Sequence, residues 1–190
     1  MSKTRNPLPV KLIAGMISGN VDLFGEVTEI LVEKFGPVDL KSSIFNFDKT
    51  DYYEEEMGAN LKRQFLSFHR LIQAREIVDI KLFANTVEEK FSLFREKPSR
   101  LINLDPGYVN CTKLVLASAK DSPNRVYLKE GIYAEITLYF SQGTFKFRPW
   151  TFPDYKTREY IEVFNQIRKL YVNQRRNIIS KKGDKKFEIS

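Results

Sequence analysis

The chain has 190 residues, 42% of them hydrophobic and 13% aromatic, enough for one domain with a substantial core and far from the composition of a disordered chain. A single cysteine, Cys111, and a single histidine, His69, exclude an internal disulfide, a zinc site built from several thiolates and a His-rich metal centre. Thirty-one basic residues against 24 acidic ones give a net charge of +7, which favours anionic partners over cationic ones.

Residues 1–9 read as a loose leader carrying Pro7 and Pro9. No apolar run is long enough to span a bilayer, and the first one is cut by Gly15 and Gly19. The expectation is therefore no signal peptide, no membrane partner and a cytoplasmic protein. Val10 to Ser18 suits a buried strand. Ser18 or Asn20 offers an N-cap to a helix over 21–35, where Leu23, Phe24, Val27, Ile30, Leu31 and Phe35 recur at helical spacing before Gly36 and Pro37 stop it. Leu40 to Phe47 and Leu61 to His69 read as strands. The polar segment DKTDYYEEEMGAN between them is long for a hairpin connection.

A second helix is expected over 75–94, with Ile77, Ile80, Ala84, Val87, Phe91 and Phe94 in one apolar stripe. Lys81, Asn85 and Glu88 form a polar row beside it, at a spacing that lets neighbours touch. Leu101 to Leu104 reads as a strand stopped by a type II turn at Asp105-Pro106-Gly107-Tyr108, where Pro presets φ and Gly accepts a positive φ. Strands at Lys113 to Lys120, Arg125 to Leu128, Ile132 to Phe140 and Thr144 to Arg148 follow, the last two joined at Ser141-Gln142-Gly143. A helix over about 157–176 presents Tyr160, Ile161, Phe164, Ile167 and Tyr171 inward, and 177–190 reads as a basic, flexible tail with Lys181, Lys182, Lys185 and Lys186. The fold class is α+β: residues 10–176 form one domain whose mostly antiparallel sheet begins with a ferredoxin-like βαββαβ unit, is extended by a β-meander and is closed by the last helix.

Four groups carry candidate chemistry. The first is the Asp105, Gly107, Tyr108 corner with Lys113, Lys120, Asp121 and Arg125, where backbone N–H groups beside cations suit a phosphate or carboxylate; an ordinary β-turn with solvated basic residues has the same sequence. The second is Asp48, Tyr52, Tyr53, Glu54, Glu55 and Glu56, either a hard-cation site or a solvated acidic loop. The third is the Lys81, Asn85, Glu88 row, a cleft wall or a polar helix flank. The fourth is Tyr133, Glu135, Thr137 and Tyr139 on a strand, where a buried Glu135 would need Arg125 or Lys113 as its partner. A bound metal would have to rely on carboxylates, with Glu56, Asp105 and Glu135 as candidates and Mg²⁺, Mn²⁺ or Ca²⁺ as the ion. Nothing around His69 forms a triad, and Cys111 is read as a small buried filler.

The strings NLDPGYVNCTKLVLASAKD, RVYLKEGIYAEITLYF, PWTFPDY and FDKTDYYEEEMG resemble a bacterial family known as domain of unknown function 4416, over about Lys11 to Tyr171. The resemblance implies that Asp105, Pro106, Gly107, Tyr108, Lys113, Ser118, Lys120, Asp121, Arg125, Tyr127, Glu135 and Thr137 belong to its signature, together with Tyr53, Glu56, Met57, Gly58 and Arg63. The chain departs from the pattern at Ala119, in place of Thr, and at Asn124, often His. Some members carry the label "GTP-binding protein", yet this chain has no GxxxxGK[ST] loop and no NKxD string, so the usual GTPase fold is not expected.

The leading expectation is a small anionic, phosphorylated ligand, a nucleotide among the options, held in a positively biased hollow beside the 105–108 corner. Two alternatives come from other classes. One is a metal-dependent phosphoesterase or nuclease using Asp48, Glu56, Glu88, Asp105 or Glu135. The other is an RNA-binding or ribosome-associated module, suggested by the charge and by Phe145, Lys146, Phe147 and Arg148 alternating along a strand.

Overall fold

Strand β1, Val10–Ser18, is buried along its whole length because both faces of the sheet it centres are covered. The computed structural model describes residues 3, 4, 6–92 and 99–184, with side chains described to residue 180. From β1 the chain enters helix α1, Leu23–Phe35, where Gly36 adopts a φ of 88° and donates its N–H to the Val32 carbonyl, a conformation that favours glycine. The expected strand over 40–47 divides into β2, Val38–Lys41, and β3, Phe45–Asn46, because Ser42 takes over the ladder between them. Its N–H donates to the Phe65 carbonyl and its hydroxyl accepts the Phe65 N–H.

A one-turn helix α2, Glu54–Met57, lies within the long polar connection, and strand β4, Lys62–Ile72, follows it. Helix α3, Ile77–Lys90, comes next. Phe94, expected in its apolar stripe, lies outside the described residues. The remaining strands are β5, Asn103–Val109; β6, Lys113–Ser118; β7, Val126–Lys129; β8, Ile132–Ser141; and β9, Thr144–Phe147. Helix α4, Arg158–Asp184, runs well past the expected end near 176 and takes in part of the expected tail.

The strand order is β2-β4-β1-β5-β6-β8-β7, with every neighbour antiparallel. Its first four members form the ferredoxin-like arrangement. Period-2 alternation divides the core between two layers. Leu12, Ala14 and Met16 of β1 pack with Phe24, Leu31, Ile80 and Ala84 of α1 and α3. Ile13, Phe65 and Val109 point to the opposite face and pack with Phe164 and Ile167 of α4. The Phe65 ring meets Tyr155, Tyr160 and Phe164 at centroid distances of 5.8, 4.7 and 5.0 Å, edge-on contacts of about 0.5–1.5 kcal/mol each. They dock the start of α4 and the segment before it onto the sheet.

The turn expected at 105–108 is absent. Asp105, Pro106, Gly107 and Tyr108 lie inside β5 and pair with Gly15, Ala14, Ile13 and Leu12 of β1. The chain reverses later, where Asn110 accepts the N–H groups of Thr112 and Lys113 on its side-chain oxygen. Pro106 can stand in a strand because the β6 ladder begins only at the next residue, Gly107. Gly107 serves close approach rather than positive φ: a Cβ there would fall 2.4 Å from the Val115 carbonyl oxygen.

This pairing also opens the sheet. β5 pairs with β1 from Asn103 to Val109 but with β6 only from Gly107 to Val109. Beyond that point Ala117 and Ser118 of β6 stay with β8, while Asn103 and Asp105 stay with β1. The two strands diverge and leave a gap in the sheet.

Candidate functional site in the gap between two strands

The gap is the inner end of a cleft of about 560 Å³. Its floor is organised by Arg63 of β4, which is 2% exposed. The side chain crosses β1 above Gly15, where a Cβ would lie 2.7 Å from its Nη1. It then donates from Nη1 to Asp105 at 2.7 Å and from Nη2 to Asp154 at 3.2 Å. The rings of Phe47, Phe65 and Tyr155 surround the guanidinium at 5.1–5.5 Å, a cation–π enclosure that stands in for water.

The two carboxylates respond in opposite directions. Burial by itself would raise the Asp105 carboxyl, but Arg63, Lys81 and the Asn103 amide together hold it below its ordinary value. Burial dominates at Asp154 and, with the Asp105 charge nearby, raises its carboxyl despite Arg63. Burial also pushes the Tyr155 hydroxyl well up, so that it stays protonated.

The polar row on α3 supplies the second wall. Lys81 donates to the Leu104 carbonyl at 2.8 Å, and Glu88 accepts the Leu104 N–H at 2.7 Å. These two side chains satisfy the β5 edge that β6 has left. Lys81 and Glu88 are themselves 3.4 Å apart. Arg100 ties this wall to α2, reaching Glu88 at 3.3 Å and Glu56 at 2.6 Å. The third wall is the end of β6 with the loop to β7. There Arg125 donates to Glu135 at 3.1 Å and to the Ser118 hydroxyl and Lys120 carbonyl at 2.8 Å. At the mouth, Lys120 donates to the Tyr52 hydroxyl at 2.6 Å, and Phe152 lies 41% exposed.

Of the residues expected at a site, Asp105, Lys120, Asp121, Arg125, Glu135 and Glu56 line this cleft, as do Lys81, Asn85, Glu88, Tyr52 and Tyr53. Three residues expected with them lie elsewhere. Gly107 is sealed against β6. Tyr108 alternates to the α3 face and packs on that core. Lys113 sits at the opposite end of β6, opposite Tyr139, roughly 16 Å from Ser118 at about 3.3 Å per residue. Asp48 pairs with Lys49 at the surface. Of the β8 group only Glu135 faces the cleft; Tyr133 meets Tyr127, and Arg148 covers Tyr139. The four β9 residues do not make a stacking platform: Phe145 is buried under α4 and Phe147 is exposed.

The hollow is also not positively biased. Arg63, Lys81, Arg100, Lys120 and Arg125 are outnumbered by Glu56, Glu88, Glu89, Asp105, Asp121, Glu135 and Asp154. The metal candidates Glu56, Asp105 and Glu135 each face an arginine. Among the described residues no three His, Cys, Asp or Glu side chains come together as a metal site.

Arg100, Asn103, Asp154 and Tyr155 stand in the site without having been singled out as site residues from sequence. The last two lie in the PWTFPDY string, and its Asp-Tyr pair in a segment leaving a sheet was the signal available.

Fold and site together define an α+β protein with a ferredoxin-like half-sheet and a mixed-charge cleft where that sheet divides. The chain belongs to the family described as Domain of unknown function (DUF4416), which it matches over residues 8–171. No curated protein and no solved structure matches it. Among the described residues no helix is long and apolar enough to cross a membrane.

Proposed function

We propose that the cleft binds a small phosphorylated ligand. The observation that carries this reading is Lys120. Among the described residues it is the one cation of the cleft without a carboxylate partner; its ammonium rests on the hydroxyl and ring of Tyr52. The other four cations are paired with carboxylates. A phosphate at the mouth would take the place of the Tyr52 hydroxyl on Lys120 and meet the Arg125 guanidinium, which Glu135 and Ser118 already hold in place. Charge-assisted bonds from an oriented guanidinium and an ammonium are the usual means of holding such a group. The Asp121 carboxylate is turned toward the Ser122 N–H at 2.8 Å. The volume lies within the range of roughly 300–1,000 Å³ typical of small-molecule sites, so a ligand as large as a mononucleotide fits.

A thermal-shift panel of nucleotides and sugar phosphates, with and without Mg²⁺, tests the reading. Stabilisation of the wild type by at least one phosphorylated compound is expected, with the response lost in Lys120→Ala. No response to any anion, or an equal response in Lys120→Ala, would contradict it.

A further inference from the structure

The cleft is polarised from mouth to floor, and this polarity narrows the ligand. At the mouth stands the unpaired cation Lys120, with Tyr52 56% exposed beside it. Toward the floor, exposure falls to 22% for the Asp105 side chain, 11% for Glu88 and 4% for Asp154. A second phosphate or carboxylate at that depth would meet Asp105, which its neighbours keep ionised. A ligand anionic at both ends is therefore repelled at one of them.

Both donors and acceptors line the inner part of the cleft. The acceptors are carboxylate oxygens of Asp105, Asp154 and Glu88, each held in place by Arg63 or Arg100. The donors are the amides of Asn85 and Asn103 and the hydroxyl of Tyr155. The Asn103 amide leans toward Asp105 without a well-formed hydrogen bond, and the Tyr155 hydroxyl is buried with no partner in the protein. An ammonium group can only donate, and it would compete with arginines already in place. A hydroxyl both donates and accepts, and several of them on one ring match such a floor.

The geometry points to a phosphorylated polyhydroxy compound of sugar-phosphate size, with its phosphate at Lys120 and Arg125 and its hydroxyls on Asp105, Asn85 and Asn103. This assignment rests on the reading of the cleft as a phosphate site and adds that the floor reads hydroxyl groups.

Calorimetric titration with three probes separates the two statements: inorganic phosphate, ribose 5-phosphate and ribose. Ribose 5-phosphate is expected to bind at least ten-fold tighter than inorganic phosphate. Asn85→Ala should shrink that gap several-fold while leaving inorganic phosphate unchanged, and Lys120→Ala should weaken both phosphorylated probes. Equal affinity of phosphate and ribose 5-phosphate for the wild type would overturn the hydroxyl-reading floor and leave the phosphate site standing. No binding of either would overturn both. The wild-type comparison decides the matter even if the Asn85→Ala protein folds poorly.

Discussion

Two buried cations stand on the same face of this sheet and show where the fold ends and the site begins. Lys11 of β1 is 0% exposed and lies under α4. Its three protons go to Asp39 at 2.6 Å, the Phe68 carbonyl at 3.0 Å and Gln174 of α4 at 2.7 Å. That is the full capacity of an ammonium, and nothing remains for a ligand. Burial lowers its pKa in spite of Asp39. Arg63 of β4 is equally buried but lies beside the cleft that α4 leaves uncovered. It bonds two carboxylates through its Nη atoms, while its Nε is buried without a well-formed hydrogen bond and the Tyr160 hydroxyl lies against the guanidinium. A closed polar cluster is structural. One that borders a cavity is a candidate for recognition.

Substituting the two cations should give the largest and most different effects. Arg63→Ala leaves Asp105 and Asp154 without the guanidinium they share, and a loss of about 3–5 kcal/mol in urea unfolding is expected, together with loss of the preference for ribose 5-phosphate over inorganic phosphate. Lys11→Met unties α4 at one point and removes one partner of a charged cluster. Its expected cost is smaller, about 2 kcal/mol, and ligand affinity should not change. Equal effects of the two variants on binding would remove the distinction.

Gly107→Ala probes the seam next to the gap. A methyl group 2.4 Å from the Val115 oxygen forces β5 and β6 apart, and roughly 1–3 kcal/mol of destabilisation in thermal unfolding is expected.

Acid titration separates the two carboxylates on Arg63. Asp105 has a folded pKa below its unfolded value of about 3.9, so its contribution is complete above that pH and is lost as pH falls through the depressed value. Asp154 has a raised folded pKa, so the folded state binds the extra proton and stability rises as pH falls from that raised value toward about 4. Urea unfolding between pH 3 and 7 should therefore lose a stabilising trend in Asp154→Asn and an acid-destabilising limb in Asp105→Asn. The smallest stability effect is expected for Lys120→Ala, within about 0.5 kcal/mol of wild type because the side chain is exposed, although ligand response should disappear.

Much of the architecture was legible because it is periodic. The apolar spacing of Leu23 to Phe35 and of Ile77 to Phe91 located both sheet-covering helices, and the βαββαβ order followed from the elements between them. The segment from Asp105 to Tyr108 was misread because Pro-Gly is a strong turn signal. Here Pro106 occupies the last position before a ladder begins, and Gly107 permits two backbones to touch. Neither reason is local. The Lys81, Asn85, Glu88 row was visible, but its role of completing the edge of β5 was not, since it depends on β6 leaving. Arg63 reaches Asp105 across an intervening strand and Asp154 from 91 residues away in sequence, and no spacing rule connects them.

Backbone amide NMR during titration with ribose 5-phosphate distinguishes a ligand-holding cleft from a closed polar cluster. Saturable shifts are expected at residues 118–125 and around Asn103 and Asp105, with the amides of Lys11, Asp39 and Gln174 unmoved. Shifts centred on the Lys11 cluster, or none at saturating ligand, would contradict the reading of the cleft.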